Sequence, residues 1–254
     1  MDRDKLIIIG GGVGPLAGLL LHRLIIENTP EAARDQDHLR ILHCCLPDLV
    51  PDRTEALLQG TPERPALGMA RIIQAALKTA EELDFCSVIG IPCNTFHAPA
   101  IWRIFQEALG DGRGRFTLIN MVEETIKDLS RQFSRRPARV GILSTTGTRE
   151  SGLFSMALTE AGMIPLEVPG AKQDLIHRAI YDPRWGLKAT AAPSAEALGV
   201  VTEAAERLVA SGAEAIILGC TELPLALSDP FLQDVPLIDP MTVLAGKLIG
   251  GQPK

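Results

Sequence analysis

The sequence predicts an α/β fold of two pseudo-symmetric lobes, each a parallel β-sheet flanked by helices, with the active site in the cleft between them. Three observations carry that expectation. First, Ser87-Val-Ile-Gly-Ile-Pro-Cys93 and Glu214-Ala-Ile-Ile-Leu-Gly-Cys220 are short apolar runs rich in β-branched residues, the pattern of strands buried on both faces of a parallel sheet. Each stops at a cysteine, and small polar residues lead on to a proline (Pro99, Pro224) where a helix can start. Second, a helical pattern precedes each run, over Ala66 to Leu83 and over Ser194 to Ser211. Third, each half opens on a strand and a turn of small residues, Gly10 to Pro15 in one and Ser144 to Thr148 in the other. The two turns and the two cysteines are offset by similar numbers of residues, which reads as a duplicated βα lobe.

In order, Lys5-Leu-Ile-Ile-Ile9 is a strand, and Pro15 opens a helix to about Asn28. Leu39 to Cys45 is the next strand, and Leu46 to Thr54 is a loop with two prolines and Arg53. The helix over Ala66 to Leu83 carries Leu67, Ala70, Ile73, Ala76, Leu77 and Ala80 at helical spacing and leads into the Cys93 strand. Ala100 to Leu109 is helix, Gly110 to Gly114 a turn, Phe116 to Asn120 a strand and Val122 to Gln132 a helix. The pattern restarts with a strand at Ala138 to Leu143 and one helix running to about Gly162. Val235 to Asp239 and a closing helix to about Ile249 echo Leu118 to Met121 and its helix. The expected division is 1–121 for the first lobe, with 241–254 packing back on it, and 122–240 for the second. Ser134-Arg-Arg-Pro137 marks the join.

Of 254 residues, 46% are hydrophobic and 22% charged, the balance of a globular chain. The formal net charge of −6, with no basic stripe, argues against nucleic acid as a partner. Too few apolar residues follow Met1-Asp-Arg-Asp-Lys5 for a signal peptide, and Leu16 to Ile26, broken by His22-Arg23, is too short to span a bilayer. Five cysteines without a C-x-x-C pair argue against a disulfide framework, so the expectation is a reduced, cytoplasmic protein.

A cysteine at the carboxyl end of a parallel strand sits where α/β proteins bind ligands, and a following helix N-terminus favours the thiolate. Two of them in equivalent settings suggest a mechanism that uses both. His97 follows Cys93 by four residues and is a candidate to activate it, although such a histidine is more often a hydrogen-bonding residue. Arg53 reads as a solvated loop residue or, on the rim of a parallel sheet beside Cys93, as an anion ligand. Gly12-Val-Gly-Pro-Leu-Ala17 formally matches a dinucleotide fingerprint but lacks the acidic residue that should end the second strand. Cys44 and Cys45 alternate along a strand, so with His43 they cannot converge on a metal and read as small buried hydrophobes.

Together these residues resemble the aspartate/glutamate racemase superfamily, in particular its aspartate racemase branch. The resemblance runs through Ile8 to Ala17, Arg34 to His38, Pro51-Asp-Arg-Thr54, Pro92-Cys-Asn-Thr-Phe-His97, Leu143 to Thr148, Ile180-Tyr181, Gly219-Cys-Thr-Glu222 and Pro236 to Met241. It implies racemisation without pyridoxal phosphate, metal or nucleotide, on a small amino acid, by a homodimer. Cys93 and Cys220 would then be the two bases, one taking the α-proton as thiolate while the other returns a proton to the opposite face. Arg53 would bind a substrate carboxylate and Lys188 the second one, across a segment, Asp182 to Leu187, longer than the family's usual connection. Asn94, Thr95, Thr145, Thr221 and Glu222 match positions around the substrate. Aspartate is the expected substrate and glutamate the next. Three alternatives remain open: another activity of the superfamily on a different small acid, an NAD-dependent oxidoreductase, and a non-catalytic amino-acid-binding protein.

Overall fold

Two units divide the chain: one runs up to Glu124 and resumes at Met241, and the other is Thr125–Pro240. The computed structural model describes residues 5–30, 32–134, 136–189 and 192–250. The expectations for Met1 to Asp4, for 251–254 and for Arg135 in the join lie outside the described residues.

The first unit contains β1 (Lys5–Gly11), α1 (Pro15–Glu27), β2 (Arg40–Cys45), α2 (Arg53–Leu58), α3 (Glu63–Glu82), β3 (Cys86–Gly90), α4 (Pro99–Leu109) and β4 (Phe116–Ile119). Its four strands are parallel in the order β2-β1-β3-β4, with Ile8 opposite Leu42 on one side and Ile89 on the other. Leu6 to Ile9 are buried without alternation, because helices cover both faces of the sheet. On α3, Ala66, Met69, Ala70, Ile73, Ala76 and Ala80 are buried at spacings of three and four, which aims one stripe at the core. Ile73 and Ile89, both fully buried, each contribute about 1.5–3 kcal/mol by leaving water. Pro99 sits at the first position of α4, where its missing N–H costs nothing, and Ile101, Trp102 and Phe105 turn inward.

The boundary between the units falls inside α5 (Met121–Gln132). The second unit then builds β5 (Arg139–Ser144), α6 (Thr146–Glu150), α7 (Leu153–Glu160), β6 (Ile164–Glu167), α8 (Gly170–Tyr181), α9 (Ala195–Ala210), β7 (Ala215–Gly219), β8 (Phe231–Leu232) and β9 (Val235–Ile238). Its order, β6-β5-β7-β9-β8, repeats that of the first sheet strand for strand through β9. Finally, α10 (Pro240–Leu248) returns to the first unit: a side chain at Gly90 of β3 would strike Leu244 and Leu248, and Lys247 pairs with Glu124 at 3.0 Å.

Several local expectations are corrected. The second sheet is not wholly parallel, since β8 pairs antiparallel with β9 across Gln233 and Asp234, both at positive φ as a two-residue hairpin requires. The single helix expected after Thr148 is two, α6 and α7, broken where Gly152 takes φ 65. β6 and α8 were not anticipated; Pro165 interrupts a short run, which is tolerated because β6 is an edge strand. Pro224 starts only a 3-10 turn, Leu223–Leu225. Cys44 is half-buried and Cys45 exposed, because at the end of an edge strand the alternation points one of them to solvent.

Candidate active site

The sequence-predicted residues fall into two groups, one in each unit. In the first, Cys93 lies three residues past the end of β3 and caps a 3-10 turn, Asn94–His97. Phe96 anchors that turn in the core, fully buried, with its ring 5.2 Å from that of Phe105. The fully enclosed His97 ring donates from Nδ1 to the Cys93 carbonyl at 2.9 Å and packs 4.6 Å from Trp102. It therefore holds the backbone of the turn rather than the thiol. Burial pushes its pKa down to about 4, offset only in part by the carbonyls of Cys93, Ile119 and Asn94. Cys93 itself is 8% exposed.

Arg53 is not a solvated loop residue. It opens α2, whose N-cap Asp52 accepts from the Glu55 N–H at 2.8 Å, and it is buried. Its guanidinium donates to the carbonyls of Val13, Pro51 and Val50, which ties α2 to the glycine-rich turn. Gly12 in the same turn lies close against the chain that leaves β2: it sits at φ 85, and a side chain there would lie 2.9 Å from the Leu46 nitrogen. The turn thus serves the protein's own packing. α2 in turn packs on the 94–97 turn. There Asn94 and Thr95 are buried, and neither the Asn94 amide nitrogen nor its oxygen finds a partner; Thr54 Oγ1 is buried and unpartnered too. Unmet polar groups of this kind are rare in a core and each costs about 1–3 kcal/mol.

In the second unit Cys220 directly follows β7 and is 6% exposed. Its thiol donates to Glu222 Oε2 at 3.1 Å, Thr221 Oγ1 donates to the same oxygen at 3.0 Å, and Lys188 Nζ donates to Oε1 at 2.6 Å. Lys188 also lies 5.4 Å over the Tyr181 ring, which stacks at 4.8 Å on His177. His177 Nδ1 in turn accepts from the Thr146 N–H at 3.4 Å. Thr145 caps α6, accepting from the Thr148 N–H at 3.3 Å. The long Asp182 to Leu187 segment folds back on the end of α8: Gly186, Leu187 and Lys188 donate to the carbonyls of Asp182, Ala179 and Ile180. Gly186 admits no side chain, since a Cβ there would meet the Asp182 nitrogen at 2.6 Å. That pinch delivers Lys188 to Glu222.

The charges here are strongly coupled. Burial first, and then the Glu222 carboxylate, push the Cys220 thiol far above its ordinary range, against the pull of Lys188. Burial also opposes ionisation of Glu222, yet Lys188 and the three donated hydrogen bonds hold its pKa below the usual carboxylate range. Lys188 stays charged because the anionic groups around it, Cys220 when ionised and Glu222, outweigh its burial. At Cys220 burial and Glu222 thus oppose the thiolate that the strand-end position was expected to favour.

The structure thus brings Arg53, Cys93, Asn94 and Thr95 together in one unit, and Lys188, Cys220, Thr221 and Glu222 with Thr145 in the other. Thr54 and His177 were missed by sequence reasoning; the spacing of His177 and Tyr181, one helical turn apart, was the available signal. Among the described residues no three His, Cys, Asp or Glu could hold a metal ion, and no helix is long and apolar enough to cross a membrane.

Comparison with known proteins agrees with this geometry. The chain is similar to the solved aspartate racemase of Picrophilus torridus, at a TM-score of 0.75 and 26% identity over 98% of this chain and 96% of that one. It shares the fold of the glutamate racemase of Francisella tularensis solved with D-glutamate, at a TM-score of 0.61 and 17% identity over 98% and 81%. It is also 26% identical over 185 residues to a glutamate racemase of Corynebacterium glutamicum, a match covering 70% of this chain and only 60% of that protein. The family described as Asp/Glu/Hydantoin racemase matches residues 11–248, nearly the whole chain. With a family match over nearly its whole length, this chain belongs to the Asp/Glu/Hydantoin racemase family.

Proposed function

We propose that this chain is a cofactor-independent racemase of an acidic amino acid, aspartate ahead of glutamate, with Cys93 and Cys220 as its two bases. The observation that carries the reading is the matched placement of the two buried thiols, each at the end of the third strand of its own sheet. In one direction a thiolate takes the α-proton, leaving the electron pair on an α-carbon stabilised by its carboxylate. The other thiol gives its proton to the opposite face, and the two sulfurs end with their protonation states exchanged. Arg53 and the unmet Asn94 amide suit the α-carboxylate and ammonium, with Thr95 beside them. Lys188 suits the side-chain carboxylate, with Thr145, Thr221 and Glu222 completing the polar surround. Glu222 has its two oxygens engaged by the protein itself, so its role is to hold Cys220 as the acid rather than to bind substrate.

Glutamate is the second reading, favoured by the similarity to the glutamate racemase of Corynebacterium glutamicum. The proposal extends to a cytoplasmic homodimer, which light scattering in solution tests. The decisive experiment incubates the protein, without added cofactor, with each enantiomer of a panel of amino acids in heavy water. Expected are exchange of the α-hydrogen and interconversion of enantiomers for aspartate. Neither with aspartate nor with glutamate would refute the proposal, and tight binding without exchange would make the chain an amino-acid-binding protein.

A further inference from the structure

A separate cavity lies in the first unit at the amino ends of β3 and β4, whereas Cys93 follows the carboxyl end of β3. At about 550 Å³ it falls within the range of small-molecule sites, roughly 300–1,000 Å³. Leu77, Ala80, Phe85, Leu109 and Phe116 give it apolar walls. Ser87 lines it from the sheet; the residue is 2% exposed and its hydroxyl has no hydrogen-bond partner. A buried hydroxyl left unmet is destabilising, and an occupant offering a donor or acceptor relieves it.

Among the described side chains, four exposed charged residues line the rim in a balanced arrangement. Lys78 and Glu81 stand on α3, and Asp111 and Arg115 on the segment leading into β4, so each side offers one cation and one anion. Arg115 also touches Asp84 at 3.4 Å, an exposed pair that is cheaply released. A ligand with a single charge would meet a like charge on either side, and an uncharged one would use none of them. A ligand with both charges and an apolar body complements rim, walls and floor together.

We propose that this cavity binds a small zwitterion with an apolar body, of the size of a large apolar α-amino acid such as phenylalanine or leucine. The apolar walls offer nothing to a second carboxylate, so an acidic amino acid is excluded.

The test is calorimetric titration of the full chain with L-phenylalanine, which should show one saturable site per chain that saturating L-aspartate does not displace. Either 3-phenylpropionate or 2-phenylethylamine, each lacking one charge, should bind about fivefold more weakly. Ser87→Ala removes a hydroxyl that no protein group uses, so it should fold normally and weaken binding about fivefold. Leu77→Trp fills the cavity and should abolish binding; should that variant fail to fold, Ser87→Ala decides alone. No saturable heat with phenylalanine or leucine would overturn the proposal. So would displacement by aspartate, equal binding of the singly charged analogues, or unchanged affinity in Ser87→Ala. The readout is binding rather than turnover, so failure here leaves the racemase reading intact.

Discussion

The two halves of this protein share a strand order and a strand-end cysteine, yet they surround those cysteines differently. After Cys93 the chain makes a 3-10 turn and then the eleven-residue α4, with Phe96 and the buried His97 beneath the turn and unmet amide groups on Asn94. After Cys220 it makes a single 3-10 turn, and the thiol is tied to Glu222, which Lys188 neutralises. The two sheets share a strand order while the side chains around their cysteines differ. The lesson is that near-symmetric topology does not imply equivalent surroundings: one half offers open hydrogen-bonding capacity, and the other opposes ionisation of its thiol.

The thiols give the largest test of that contrast. Cys93→Ser and Cys220→Ser should each lower racemisation at least about a thousandfold, because a serine hydroxyl is far harder to ionise. The double variant should be no worse than either single one, since the pair acts as a unit. Each single variant should still exchange the α-hydrogen of one enantiomer in heavy water, and the two should prefer opposite enantiomers. Substantial racemase activity in Cys93→Ser would replace the two-thiol account with one-base chemistry through Cys220.

Acid should next separate the halves by stability. The pKa of His97 is depressed to about 4 in the folded state, so its contribution is present above the unfolded value near 6.5 and is lost as pH falls towards 4. The loss across that window is about 3 kcal/mol, at 1.36 kcal/mol per pKa unit. Glu222 is also depressed, but its contribution is lost only at lower pH, below the ordinary carboxylate range. Urea midpoints measured from pH 7 to 4 should therefore show a slope that His97→Gln removes and Glu222→Gln keeps. A slope unchanged in His97→Gln would assign it to other groups.

Arg53→Lys should lower kcat/KM about ten- to a hundredfold by losing the forked geometry that matches a carboxylate. Because Arg53 also bonds the carbonyls of Val13 and Pro51, this variant should melt lower as well, which its reading as a loop residue did not anticipate. Wild-type kinetics would confine Arg53 to a structural role. A smaller change is expected from Glu222→Gln. Removing the carboxylate's charge relieves one cause of the high Cys220 pKa, so the limb of the pH–rate profile that reports Cys220 should move to lower pH. An unmoved limb in both directions of the reaction would free Cys220 from Glu222. The smallest effect is that of Ser87→Ala on the unliganded protein, which should be neutral or stabilising by no more than about 1 kcal/mol in urea.

Much of this was readable from the sequence because the strands of a parallel sheet are continuous apolar runs and prolines mark helix starts. The runs ending at Gly90 and Gly219 and the proline at position 99 needed no tertiary information. What stayed hidden depended on contacts between residues distant along the chain. Lys188 meets Glu222 only because the 182–187 segment doubles back on α8, and Arg53 is held by the distant carbonyl of Val13 in the glycine-rich turn. Pro165 disguised an edge strand, and Gly152 broke the single helix expected to run to about Gly162. The high pKa of Cys220 was illegible for a similar reason, since a cysteine followed by Thr-Glu says nothing of how deeply the three are enclosed.

The uneven exposure of the five cysteines has a practical side. Cys45 and Cys86 are exposed, Cys44 is half-buried, and Cys93 and Cys220 are buried. A maleimide or disulfide reagent should thus modify the outer thiols quickly and reach the inner pair only when the surrounding structure opens. With Cys44, Cys45 and Cys86 replaced by serine or alanine, the labelling rate of the remaining two becomes a clock for local opening around each half, and protection of that clock by an amino acid becomes an affinity assay that needs no turnover.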